Sequence, residues 1–102
     1  MIILINVFHV EAANQQRLVE ILTQVTQEIV SKAKGFVSST LHRSLDGTKV
    51  TMHARWTSLA DYEAMRQDSA PRPFFEAALA LARFEPGLYE VVQEFRPAED
   101  PG

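Results

Sequence analysis

The sequence contains no cysteine. That excludes a disulfide framework, a thiolate zinc site and a thiol nucleophile, and leaves metal ligation to His9, His42 and His53 with carboxylates. Concentrated positive charge is missing too. Ten Lys and Arg stand against 13 Asp and Glu, the formal net charge is −3, and the cations are scattered along the chain. Phosphate backbones are bound by dense basic patches, so no nucleic-acid partner is expected. No apolar run is long enough for a membrane span. The opening MIILINVF lacks a basic leader and runs straight into polar sequence, so a strand is expected there rather than a signal peptide, and the cytoplasm as location. There is also no phosphate loop, no Ser-His-Asp set and no paired-carboxylate site.

What remains is an ordinary apolar content, 46% of 102 residues, enough for one domain that buries roughly two-thirds of its unfolded surface. The organising stretch is Gly35 to Trp56. Asp46-Gly47 lies between two runs of strand formers and predicts a hairpin with a two-residue type I′ turn closed by Leu45 and Thr48. That register sets Arg43 opposite Val50, Leu41 opposite Met52, Ser39 opposite Ala54 and Val37 opposite Trp56. One face is then apolar (Val37, Leu41, Val50, Met52, Ala54, Trp56). The other carries Ser38, Thr40, His42, Thr51, His53 and Arg55.

Residues 2–9 are apolar in both alternating sets, the pattern of a strand covered on both sides, with Asn6 as the polar interruption before His9. An amide there is either satisfied by backbone or aimed into a ligand cavity. From Ala12 to Ala33, Leu18, Ile21, Leu22, Val25, Ile29 and Val30 form one helical stripe, ended at Gly35. Ser58 with Asp61 predicts a capped helix through Leu59, Tyr62, Met65 and Arg66, stopped by Pro71 and Pro73. A second helical piece is expected over Phe74 to Arg83, with Phe75, Ala78, Leu79 and Ala82 inside, and a last strand over Leu88 to Phe95 that buries Tyr89, Val91, Gln93 and Phe95. The order β-α-β-β-α-β, its second helix broken, predicts an α+β, ferredoxin-like fold: a four-stranded antiparallel sheet with two helices on one face. Residues 1–96 form the single domain, and 97–102 a flexible tail. The uncovered sheet face predicts a homodimer packed sheet to sheet.

The combination GFVSSTLHRSLDGTKV, ARWTSLADYEAM and FEPGLYEVV, with its "GF" opening a strand, "DGT" turn and strand-end Trp followed by Ser and a helical Tyr, resembles the antibiotic biosynthesis monooxygenase family of dimeric α/β barrels. The resemblance runs from about residue 2 to 96. It implies a cofactor-independent oxygenase, with no metal, that uses molecular oxygen to turn a polyketide-type phenol or anthrone into a quinone. In the polyketide-tailoring branch the strand-end Trp, an Asn four residues before it and a Tyr six residues after it line the pocket. Trp56 and Tyr62 match, and Met52 stands at the Asn position. The haem-degrading branch uses a first-strand Asn, a helical Trp and a later His. Asn6 matches the first, but Met65 and Leu79 occupy the other two positions and no histidine follows His53.

A phenol oxidised without flavin or metal needs a dry apolar pocket, a few polar groups to position it, and help in losing its proton. Trp56, Tyr62 and Asn6 are therefore the candidate catalytic residues, and Met52, Met65, Phe74, Phe75 and Leu79 candidate substrate-binding walls. Each of these apolar side chains also fits an ordinary core role. His53 is the candidate base by its titration range, but register places it on the face away from Trp56. Arg66, Arg72 and Arg83 are read as solvated cations with a second reading as ligands for an acidic substrate oxygen. The alternative to an enzyme is a non-catalytic small-molecule-binding barrel, which Met52 favours and Trp56 with Tyr62 disfavours.

Overall fold

A computed structural model describes residues 1–98, so positions 99–102 of the expected tail lie outside it. Strand β1 (Ile2–Val10) is the spine. Apolar on both alternating sets, it pairs along one edge with β3 (Lys49–Trp56) from Ile2↔Trp56 to His9↔Lys49, and β3 pairs in turn with β2 (Phe36–Arg43). The other edge of β1 takes β4 (Ala82–Glu85) and β5 (Leu88–Tyr89) end to end. All pairs are antiparallel and the order is β2-β3-β1-β4, the ferredoxin-like arrangement.

Helix α1 (Gln15–Glu28), flanked by single 3-10 turns at Ala12–Asn14 and Val30–Lys32, lays Leu18, Ile21, Leu22 and Val25 on the sheet. Helices α2 (Leu59–Gln67) and α3 (Arg72–Leu81) are the two pieces of the broken second helix. The Ser58 hydroxyl caps α2 by accepting from the Asp61 N–H at 3.2 Å, and the Asp61 carboxylate accepts from the Thr57 hydroxyl at 3.1 Å. The core has two centres. One gathers Leu4, Val25, Ala54, Tyr62 and Met65 about Trp56, the other Leu18, Leu22, Val50 and Ala78 about Phe8. No helix among the described residues is long and apolar enough to cross a membrane.

Several expectations are corrected. The hairpin turn is a four-residue loop: Ser44 donates to the Lys49 carbonyl at 2.9 Å, and Gly47 alone takes positive φ, at 82°. Asp46 need not adopt that conformation, because its carboxylate accepts from both the N–H (3.0 Å) and the hydroxyl (2.7 Å) of Thr48. The register survives as far as Ser38↔Arg55, but a bulge at Val37 sets Phe36, not Val37, opposite Trp56. The bulge turns Val37 outward, 44% exposed, and brings the Phe36 ring edge-on to Trp56 at 5.5 Å. Helix α3 ends two residues early because Ala82 and Arg83 pair with Val10 and His9. Pro86-Gly87 does not precede the last strand but interrupts it, the Gly87 carbonyl accepting from Ile5 N–H at 3.0 Å. Pairing ends at Ile3↔Tyr89, where β1 has almost run out of residues, so Leu88–Phe95 is not one strand. Its supposed inner set is exposed: Tyr89, Val91 and Phe95 by 52%, 63% and 87%, with Gln93 likewise open.

Two predictions test this framework. Gly35 sits at φ 85°, and a Cβ there would lie 2.5 Å from Asp61 Cβ. Gly35→Ala should cost more than the roughly 1–2 kcal/mol of the left-handed backbone alone, and an unchanged melting temperature would contradict the placement. The Asp46 carboxyl is held down to about 2, from 3.8, chiefly by the Thr48 hydroxyl and then by its N–H. A depressed carboxyl stabilises the fold above its unfolded pKa and loses that contribution as pH falls through the folded value. Asp46→Ala should therefore melt below the wild type at neutral pH, with the gap closing between about pH 4 and pH 2; thermal melts across that range check it.

Candidate active site

Between the helix-covered sheet face and the three helices lies a cavity of about 230 Å³. That is an order of magnitude more than the roughly 10–15 Å³ one water needs on the same measure. Its floor comes from alternate residues of the sheet: Leu4, Asn6 and Phe8 of β1, Met52, Ala54 and Trp56 of β3, Phe36 and Ser39 of β2, and Phe84 of β4. Its roof comes from Leu22, Val25 and Thr26 of α1, Val30 just beyond it, Tyr62, Met65 and Arg66 of α2, and Arg72, Phe75, Glu76 and Leu79 of α3. The α3 set recurs at intervals of three, four and seven, one stripe of a helix.

Trp56 is 1% exposed and anchors the aromatic end, with the Tyr62 ring edge-on at 5.6 Å and Phe36 on its other side. These tilted contacts are the favoured geometry of aromatic quadrupoles and fix the indole as a rigid wall. Tyr62 is brought there by the capped first turn of α2, whose start is tied to the hairpin by the Thr57 N–H donating to the Gly35 carbonyl at 2.8 Å. One turn later, Arg66 Nη1 donates to Tyr62 Oη at 2.8 Å, and its guanidinium carbon stands 5.8 Å from the centroids of both the Tyr62 and Phe84 rings.

The polar feature of the floor is Asn6. Its amide oxygen is buried and has no hydrogen-bond partner among the described residues. An unpartnered buried polar atom costs about 1–3 kcal/mol, so such groups persist mainly where something else uses them. Asn6 lies directly across the strand pair from Met52, and both side chains face the cavity. Met52, at the position where the polyketide-tailoring pattern has an amide, thus lies opposite an amide on β1.

Of the residues expected at the site, Trp56, Tyr62, Asn6, Met52, Met65, Phe75 and Leu79 come together on this cavity. Phe74 does not. It points along the Ala78 side of α3 and packs against both core centres, because Pro71 starts the helix at a phase that turns Phe75, not Phe74, to the cavity. Arg66 and Arg72 line the cavity, whereas Arg83 pairs with His9 on the far face. Sequence reasoning missed Phe36, hidden by the bulge, and Phe84, hidden by the misplaced last strand. Thr26, Val30, Ser39 and Glu76 gave no signal beyond ordinary helix and strand positions.

The histidines stand elsewhere. His53 faces Thr40 on the open side of the sheet, and His9 Nε2 meets Glu85 Oε2 at 2.8 Å. That hydrogen bond holds the Glu85 carboxyl below the usual carboxylate range. Among the described residues no three His, Asp or Glu side chains gather as a metal set.

Residues 1–77 match the antibiotic biosynthesis monooxygenase family. The chain is 39% identical over 92 residues, 90% of its length and 82% of the relative's, to tetracenomycin-F1 monooxygenase of Streptomyces glaucescens. Its fold superposes on the cofactor-independent oxygenase SnoaB of Streptomyces nogalater with a TM-score of 0.85 at 23% identity, covering 94% of this chain and 97% of that one. It also superposes on the monooxygenase ActVA-Orf6 of Streptomyces coelicolor, solved with nanaomycin D, with a TM-score of 0.79 at 29% identity, covering 95% and 92%. With three-quarters of its length matched, the chain belongs to the antibiotic biosynthesis monooxygenase family.

Proposed function

We propose that the protein is a cofactor-independent monooxygenase that oxidises a flat aromatic phenol or anthrone to a quinone with molecular oxygen. The observation that carries this reading is the buried, unpartnered Asn6 oxygen on the floor of an apolar cavity walled by Trp56 and Tyr62. A planar guest fits walls of this kind, and a substrate hydroxyl supplies the hydrogen that Asn6 lacks. The named activities of the relatives support the same chemistry.

The reaction balances without a resident redox group. The substrate loses a proton to give a delocalised anion, and the anion passes one electron to O₂. The resulting radical pair combines to a peroxide anion at the carbon that lost the proton, and that anion takes a proton back to become a hydroperoxide. Loss of water from that hydroperoxide leaves the carbonyl, so one oxygen atom enters the product and the other departs as water. The chain's contribution is to bind the ring against Trp56, hold one hydroxyl at Asn6 and keep bulk water from the anion.

The same family membership supports a homodimer. The helix-free face of the sheet carries half-buried Ile5 and Val7, and the chain beyond β5 leaves Val91, Val92 and Phe95 exposed by 63%, 89% and 87%. A second copy packed sheet to sheet covers this surface. A species of twice the 11.5 kDa chain mass in sedimentation is expected; a monomer at tens of micromolar would refute it.

Incubation with 1,8-dihydroxyanthrone under air, followed by quinone absorbance, tests the activity. The wild type should exceed buffer, and Asn6→Leu should lower kcat by about tenfold or more, the worth of one hydrogen bond to the reacting group. The same substitution should raise the melting temperature, because it removes an unsatisfied buried amide. A ligand-induced rise in melting temperature without any quinone would instead support the non-catalytic binding barrel, which Met52 favours.

A further inference from the structure

We infer that Arg66 is a positioning residue that presets the Tyr62 hydroxyl as a hydrogen-bond donor to an oxygen of the bound aromatic. The inference rests on the reading of the cavity as a site for a flat aromatic, and it specifies which oxygens such a ligand must carry.

A guanidinium has donors only, so at 2.8 Å the Tyr62 oxygen must act as the acceptor. A phenol has one hydrogen. With a lone pair turned to Arg66, that hydrogen is directed away from the guanidinium, and no acceptor for it is found among the hydrogen bonds of the described residues. Tyr62 is 8% exposed, and both it and Arg66 line the cavity. The guanidinium carbon stands 5.8 Å from the ring centroids of Tyr62 and Phe84, and among the described residues its remaining N–H groups make no hydrogen bond.

The cavity then has two unlike polar ends. Asn6 offers a buried acceptor, and Tyr62 with Arg66 a donor pair backed by a positive charge. The ligand class that satisfies both is a planar polycyclic aromatic with a hydroxyl on one edge and a carbonyl or ionised phenolic oxygen on another. Unfunctionalised polycyclic hydrocarbons leave both ends unpaired. Negative charge that grows on the ligand oxygen as a proton is lost falls where the donor pair stands.

The test is a double-mutant cycle read by binding, so that it does not depend on turnover. Quenching of Trp56, the single tryptophan of the chain, reports the affinity for 1,8-dihydroxyanthraquinone, with anthracene as an oxygen-free control. Tyr62→Phe and Arg66→Met should each weaken the quinone about tenfold, and the double variant should be no weaker than either. Arg66→Lys should recover part of the loss, and anthracene should respond to none of the substitutions. Arg66 is exposed, so its replacement leaves the fold intact. Equal affinity of Arg66→Met and the wild type, or strictly additive losses, overturns the inference, as does a wild type that does not bind the quinone. A wild type that binds it with this pattern yet leaves 1,8-dihydroxyanthrone unoxidised overturns the oxygenase reading alone.

Discussion

The pairing of β1 with β3 sets everything else in place. Because these strands run antiparallel from Ile2↔Trp56 to His9↔Lys49, every even-numbered residue of β1 faces the helices together with the even-numbered residues of β3. That phase puts Leu4, Phe8, Val50 and Ala54 into the core and leaves Asn6 and Met52 side by side in the middle of the sheet. A slip of one residue would send Asn6 to the open face and Ile5 into the cavity. The two apolar centres on either side of Asn6, about Trp56 and about Phe8, hold the register.

The same pairing sets Asn6 directly opposite Met52, the position at which the polyketide-tailoring pattern has an asparagine. An amide on either of two paired strands reaches the same floor, since directly opposed side chains lie only about 5 Å apart. Met52 adds a flexible apolar wall, and Asn6 supplies the polar atom from the neighbouring strand. The arrangement carries a stability cost that a purely structural strand would shed by placing a leucine at position 6.

The architecture was readable because it rests on local chemistry. The α1 stripe, the Ser58 cap and the placing of the hairpin at Asp46-Gly47 each follow from neighbours in sequence, whereas α2 ends at Gln67 rather than at Pro71, which instead opens α3. What was not readable depends on distant partners. The Val37 bulge exists because Phe36 finds the ring of Trp56, and the end of the last strand is set by where β1 ends. At the site, Trp56 and Tyr62 came from the family pattern and Asn6 from being polar in an apolar strand. The four-residue spacing of Tyr62 and Arg66 is visible in the sequence, but the turn of the guanidinium over two rings is a tertiary fact. Phe74 was misjudged because helical phase, fixed by the residue at which α3 starts, decides between two adjacent phenylalanines.

The most direct measurement is a crystal structure of the protein with 1,8-dihydroxyanthraquinone bound. The ring system should lie against Trp56 in the cavity beneath α2, with one ligand hydroxyl within hydrogen-bond distance of the Asn6 amide oxygen. A ligand seated on the open face of the sheet, or one inside the cavity with Asn6 still unpartnered, would contradict the account.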